Sequence, residues 1–217
     1  MRAIQDIHTP WYEYTEPLLE LLASLPPNEK VVLVGHSFGG MNLALATDKY
    51  LEKVVVAVFL TGIMPDTNHK PSDVVDQKYA RTPPEELTLD TEFSLYGSVN
   101  APSTAFLLGP KVLSSKLYQL SPIGDLELAK TLVRPSSLFK ADFSQANNFS
   151  NEGYGSVPRV FIVCDEDMIT KKEFQRWMID NGGPNDVMEI KGADHMAMFS
   201  KPQELCDCLL EIACKYA

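Results

Sequence analysis

The sequence predicts an α/β fold built on a parallel sheet. Three observations predict it. Four short apolar runs, Lys30–Val34, Lys53–Leu60 (KVVVAVFL), Arg159–Cys164 (RVFIVC) and Asp186–Ile190 (DVMEI), read as strands buried on both faces, because they are continuous rather than alternating. Helical segments alternate with them, which means parallel strands joined by crossover helices. The first run leads straight into a glycine-rich turn, Gly35–Gly40, and then an apolar, Ala-rich helix. In such sheets, sites lie at the carboxyl ends of the strands.

Taken in order, the chain opens with a helix. Thr9-Pro10 is its start signal, with Thr9 as cap and Pro10 at the first helical position. Tyr14, Leu18, Leu21, Leu22 and Leu25 are its apolar positions, and Pro26-Pro27 ends it. After the first strand and turn, Met41–Tyr50 is a helix, and Lys53–Leu60 is the second strand. From about Pro65 to Ser150 the pattern changes: Pro, Ser, Asp and Asn are frequent and no buried strand is evident. This segment still carries many Leu, Phe and Tyr, so it reads as an inserted cap, mostly helical, with helices near Lys111–Leu120 and Asp125–Leu132. The last two strands are followed by helices at Lys171–Asn181 and Pro202–Lys215. The reading is one domain over residues 1–217, with core 1–64 and 151–217 and cap 65–150.

Composition excludes several classes. Hydrophobic residues make up 45% and charged residues 22%, as in soluble globular proteins. The formal net charge is −10 with no Lys/Arg run, so a nucleic acid or an anionic membrane is not an expected partner. No stretch approaches the ~20 apolar residues that span a bilayer. The start, MRAIQDIHTPWYEY, has no signal-peptide core, and a cytoplasmic location is expected. Cys164, Cys206, Cys208 and Cys214 lack zinc spacing, so they read as thiols in a reducing compartment and no metal is expected.

The chemistry starts at Gly35-His36-Ser37-Phe38-Gly39, a G-x-S-x-G nucleophile elbow. Ser37 would sit on a sharp strand-to-helix turn, where side chains two before and two after it would clash. The helix that follows directs N–H groups toward the site, where an oxyanion would develop. A serine nucleophile needs a base, and the base needs a carboxylate. His195 follows the last strand at its carboxyl end, and His8, His36 and His69 are worse placed. The acid should come from the turn after RVFIVC, Asp165-Glu166-Asp167; Asp167 is favoured, and Asp194 is the weaker candidate.

These residues and their surroundings resemble the plant methylesterases of the α/β-hydrolase superfamily. The resemblance rests on VVLVGHSFGGMNLALA at 31–46, VAVFLTGIMPD at 56–66, GPKVLSSKLYQL at 109–120 and LVRPSSLF at 132–139. It continues in GSVPRVFIVCDED at 155–167, EFQRWMIDN at 173–181 and EIKGADHMAM at 189–198. It implies an α/β-hydrolase fold and a triad of Ser37, Asp167 and His195. It also implies the backbone N–H of Phe38 as one oxyanion donor. Family members cleave methyl esters of small acids such as salicylate, jasmonate and indole-3-acetate, and need no cofactor. The partner implied is a small-molecule ester or carboxylic acid, and a homodimer is the self-association to test. The cap should line the pocket with Phe106, Leu107, Leu120, Leu138 and Phe139, because such pockets are mostly apolar.

Two other readings stand beside the esterase. Hydroxynitrile lyases of this superfamily place Lys after the base, where this chain has Met196, and the esterases share His36; both features favour the esterase. A non-catalytic protein that binds a small acid is the alternative. One departure is large. Family members begin with a strand, a His-Gly loop, a helix and a second strand, on the order of 50 residues or more. No counterpart precedes His8. The expectation is therefore a first strand left at the sheet edge, one oxyanion donor fewer, poor solubility or strand-paired oligomers, and turnover below that of a longer relative.

Overall fold

The computed structural model describes residues 10–83, 89–98 and 101–217. The helix α1 (Trp11–Ser24) leads to β1 (Val31–His36), α2 (Gly39–Lys49), β2 (Val54–Leu60) and α3 (Pro71–Arg81). The strands β3 (Glu92–Ser98) and β4 (Ala101–Leu107) come next, then helical turns at Pro110–Val112 and Leu113–Leu117 and the helix α4 (Ile123–Leu132). The two-residue strand β5 (Ser136–Ser137) and α5 (Lys140–Gln145) complete this middle part. The chain then makes β6 (Arg159–Cys164), α6 (Lys172–Gly182), β7 (Asp186–Ile190), α7 (Ala197–Ser200) and α8 (Pro202–Tyr216).

The main sheet runs β1-β2-β6-β7, all parallel. Its register pairs His36 with Leu60, Leu60 with Ile162, and Cys164 with Ile190, so all four strands end at one edge. The two central strands serve both faces. Val56, Val58 and Leu60 of β2 join Val160, Ile162, Leu205 and Ile212 on one face. Ala57 and Phe59 join Trp11, Met41, Phe161 and Met178 on the other. This is the period-2 alternation of a strand, with both sets of side chains apolar.

The outer strands differ from expectation. β1 is half-buried, with Val34 43% exposed, and among the described residues it pairs with β2 alone. β7 exposes Val187. An apolar run alone does not distinguish a central strand from an edge strand; neighbours do. In α1 the buried face is Trp11, Thr15, Leu19 and Leu22, while Tyr14 and Leu21 are exposed. Pro10 is the residue before the helix, not its first position. The expected cap Thr9, like His8, lies outside the described residues.

The middle part carries the expected helices and, among the described residues, a small sheet that the sequence does not predict. β3, β4 and β5 form an antiparallel sheet in that order, with Phe93 opposite Phe106 and Ala105 opposite Ser137. Its strands were illegible because they carry Ser, Gly and Pro and bury little: Phe93 and Leu95 are exposed. Backbone pairing holds them, and backbone pairing leaves no hydrophobic pattern. The expected helix Lys111–Leu120 is two short turns that end at Leu117.

Candidate active site

Ser37 lies between the end of β1 and the start of α2 with φ +54°, the left-handed region that non-glycine residues rarely occupy. Three hydrogen bonds hold it there. Its N–H donates to Leu60 O (3.3 Å), and its carbonyl accepts from Gly40 N (3.1 Å) and Ile63 N (2.8 Å). Such strain persists only where surroundings over-determine it.

The glycines around it have different reasons. A Cβ at Gly35 would lie 2.9 Å from Gly39 O, as the steric argument requires. A Cβ at Gly39 would meet nothing within 4 Å, against that argument. The close approach falls one residue later: a Cβ at Gly40 would lie 2.3 Å from Ile63 O. The helix packs on the loop after β2, which the local sequence does not reveal.

His195 Nε2 lies 2.9 Å from Ser37 Oγ, and His195 Nδ1 lies 2.7 Å from Asp167 Oδ2. The carboxylate on Nδ1 places the proton there, which leaves Nε2 to accept from the serine hydroxyl. Both groups of the pair are about 2% exposed. Asp167 is saturated. Oδ2 also accepts from Thr61 Oγ1 (2.5 Å), and Oδ1 accepts from Ile169 N (2.7 Å) and Thr170 N (2.8 Å). Burial pushes the Asp167 pKa up, but His195 and the donors from His195, Thr61 and Thr170 outweigh it and hold the carboxyl below its usual value.

The neighbouring acids have other partners. Asp165 Oδ1 accepts from Gly192 N (2.6 Å), which closes the loop that carries His195. Asp194 is fully buried. Its Oδ2 accepts from Leu120 N (3.0 Å) and Ser121 Oγ (2.9 Å), and its Oδ1 from Met196 N (3.0 Å). It ties the middle part of the chain to the histidine loop.

In the sequence His36 belongs to the elbow and marks the likeness to the esterases, with no role assigned to its ring. Its Nε2–H donates to the carbonyl of His195 (2.7 Å), and the two rings lie 4.7 Å apart. Burial, then the nearby His195, lowers its pKa to about 4, so it is neutral and keeps that donor. The sequence assigns no contact to Thr61 or to the His36 ring. The signal for each was its place at or just after a strand's carboxyl end, level with Ser37.

A cavity of about 210 Å³ opens above Ser37 and His195, lined by Phe38, Phe106, Leu108, Leu117, Leu138 and Ile169 among others. Phe106 and Leu138 are where they were expected. Leu107, Leu120 and Phe139 are not among the lining residues. Leu107 follows Phe106 in β4, and adjacent strand residues face opposite ways. Leu120 is half exposed in the loop that Asp194 anchors. Phe139, in a left-handed conformation (φ +48°), lines a neighbouring cavity with Tyr14, Asn42 and Phe143, which shares Phe38 and Phe106 with the first. Among the described residues no group of His, Cys, Asp and Glu could hold a metal, and no helix is long and apolar enough to cross a membrane.

This geometry, on a parallel sheet with the nucleophile elbow after β1, is that of the α/β hydrolases. A model of the alpha/beta hydrolase family matches residues 6–207. The chain belongs to the α/β hydrolase family and, within it, to the plant methylesterase group. It is 56% identical to salicylic acid-binding protein 2 of Nicotiana tabacum over 100% of this chain and 82% of that one. It is 57% identical to methylesterase 1 of Arabidopsis thaliana over 99% of this chain and 81% of that one. The crystal structure of polyneuridine aldehyde esterase superposes with a TM-score of 0.93 at 47% identity, over 98% of this chain and 82% of that one.

Proposed function

We propose that the chain is a serine esterase that cleaves methyl esters of small carboxylic acids, with Ser37 as nucleophile, His195 as base and Asp167 as orienting acid. The observation that carries this is the Ser37–His195–Asp167 relay at the floor of an apolar cavity. His195 Nε2 takes the Ser37 proton as Oγ attacks the ester carbonyl. Asp167 holds the imidazole and offsets the charge that forms on it. The Phe38 N–H, just ahead of α2, is one donor to the oxyanion. Protonated His195 gives its proton to the departing methoxide, methanol leaves, and water activated by the same imidazole releases the acid. The apolar walls suit an acid with a hydrophobic body, of the salicylate, jasmonate or indole-3-acetate kind, and relatives named as methylesterase and salicylic acid-binding protein support that class.

The test is methanol release from methyl salicylate, methyl jasmonate and methyl indole-3-acetate, with a p-nitrophenyl ester as a permissive probe. The wild-type chain should turn over at least one, and Ser37→Ala should lose about 10⁴-fold or more in kcat. A fluorophosphonate should label wild type and not Ser37→Ala. No turnover and no labelling, with tight binding of the free acids, would replace this reading with a small-acid-binding protein.

A further inference from the structure

The cavity above Ser37 is not wholly apolar. Lys78, on α3, lines it; among the described lining residues it is the only cation apart from His195, and none of those residues is a carboxylate. The Lys78 ammonium makes one hydrogen bond, to Thr170 Oγ1 (3.1 Å), and no ion pair among the described residues. An ammonium has three donors, so two remain. The side chain is half-buried, since part of it faces the cavity, yet the surrounding protein is dry enough that burial lowers its pKa to about 8, with Asp167 pulling the other way. The charged form still predominates at pH 7. A lysine held charged without an anion costs stability.

Lys78 also forms part of the wall of a second cavity, of about 280 Å³. The two cavities share Lys78, Thr82, Met168 and Ile169, and the second adds Arg81, Lys171 and Glu173. Among the described residues, three cations and one acid border this second cavity, on a chain of net charge −10. Cations that outnumber acids along a wall favour an anion there.

We infer that Lys78 is a specificity residue that receives a carboxylate of the substrate other than the ester being cleaved, so that the preferred substrates are half-esters of small dicarboxylic acids or esters with an equivalent anionic oxygen. The scissile carbonyl sits at Ser37, and the second carboxylate lies at the Lys78 end of the same cavity. A charge-assisted hydrogen bond there satisfies donors that the protein leaves open. A neutral ester of the same length leaves them open, which is the basis for discrimination. The inference rests on the esterase reading for its kinetic form, but not for its binding form.

The experiment compares the monomethyl esters of succinic, glutaric and adipic acids with the corresponding dimethyl esters, which differ in one charge. In the wild type, kcat/KM should favour the best monoester, and in Lys78→Met the monoester-to-diester ratio should fall about tenfold or more; Lys78→Arg should retain most of the preference. A ratio within twofold of wild type in Lys78→Met overturns the assignment. Calorimetric binding of monomethyl glutarate to Ser37→Ala and to Ser37→Ala/Lys78→Met reads the same contact without turnover. Binding weakened about tenfold by the second substitution supports the assignment even if no ester is hydrolysed. Equal affinities, or no binding to Ser37→Ala, overturn it. Failure of the esterase reading shows separately, as absence of turnover of every ester by the wild type.

Discussion

Thr61 shows how much of the site depends on a residue with no motif. It follows β2, takes a left-handed conformation (φ +38°) and places its hydroxyl 2.5 Å from the same Asp167 oxygen that faces His195. A hydroxyl donor to a buried carboxylate contributes about 1.5–3 kcal/mol. Thr61→Val keeps the shape and removes the donor. Urea unfolding at pH 7 should show a loss of about that size, and ester turnover should fall with a smaller change in KM than in kcat. No change in either would mean that the Ile169 and Thr170 amides satisfy Asp167 alone. His36 is the second such residue, and its effect shows with pH. Its folded pKa of about 4 lies below the unfolded value of 6.5, so the unfolded chain binds the extra proton first. Stability should therefore be unaffected by this group above pH 6.5 and fall as pH drops toward 4, by on the order of 3 kcal/mol in total. Asp167, whose folded pKa lies below 3.8, adds a loss only below that pH. Unfolding midpoints measured from pH 7 to pH 4 should show the first slope, and His36→Gln should flatten it.

Among the elements, the histidine loop and the middle part of the chain are coupled through Asp194. One of its oxygens accepts from Leu120 and Ser121 in the middle part, and the other from Met196 in the histidine loop. Asp194→Ala leaves two backbone N–H groups without that acceptor and lets the loop that positions His195 move. The expected outcome is a stability loss of about 2–4 kcal/mol and faster proteolysis near Leu120, with kcat/KM reduced more than tenfold. Proteolysis and stability like wild type would show that Asp194 does not hold the two parts together. At this scale the sequence was partly legible. Helices α2, α6 and α8 were readable because each carries one apolar face against the sheet. The sheet β3-β4-β5 was not, because several of its side chains, such as Phe93 and Leu95, are exposed and its order comes from backbone pairing between strands. Of the residues expected in the pocket, Phe106 and Leu107 divided for a related reason. Which of two adjacent residues faces Ser37 depends on the strand pairing.

For the whole molecule, the open edge of β1 is the feature with a solution consequence. Val34 is exposed, and among the described residues the strand has a neighbour on one side only. An apolar strand with unpaired N–H and C=O groups invites addition of another strand. The 217-residue chain should self-associate as concentration rises, and Val34→Lys should lower that association in sedimentation velocity experiments. A monomer unaffected by concentration or by Val34→Lys would show that the edge is covered. The sequence by itself determined the parallel α/β architecture, the nucleophile elbow and the base after the last strand, and its family resemblance picked Asp167 from three neighbouring acids. Those signals are local: apolar runs, a strand-to-helix turn, and polar residues placed just after strands. Only the tertiary structure decided that Gly40 rather than Gly39 is the steric requirement, that Asp194 anchors the middle part of the chain, and that Thr61, His36 and Lys78 face the site. Each of these depends on which distant segment packs against the residue, and packing between distant segments leaves no trace in local pattern.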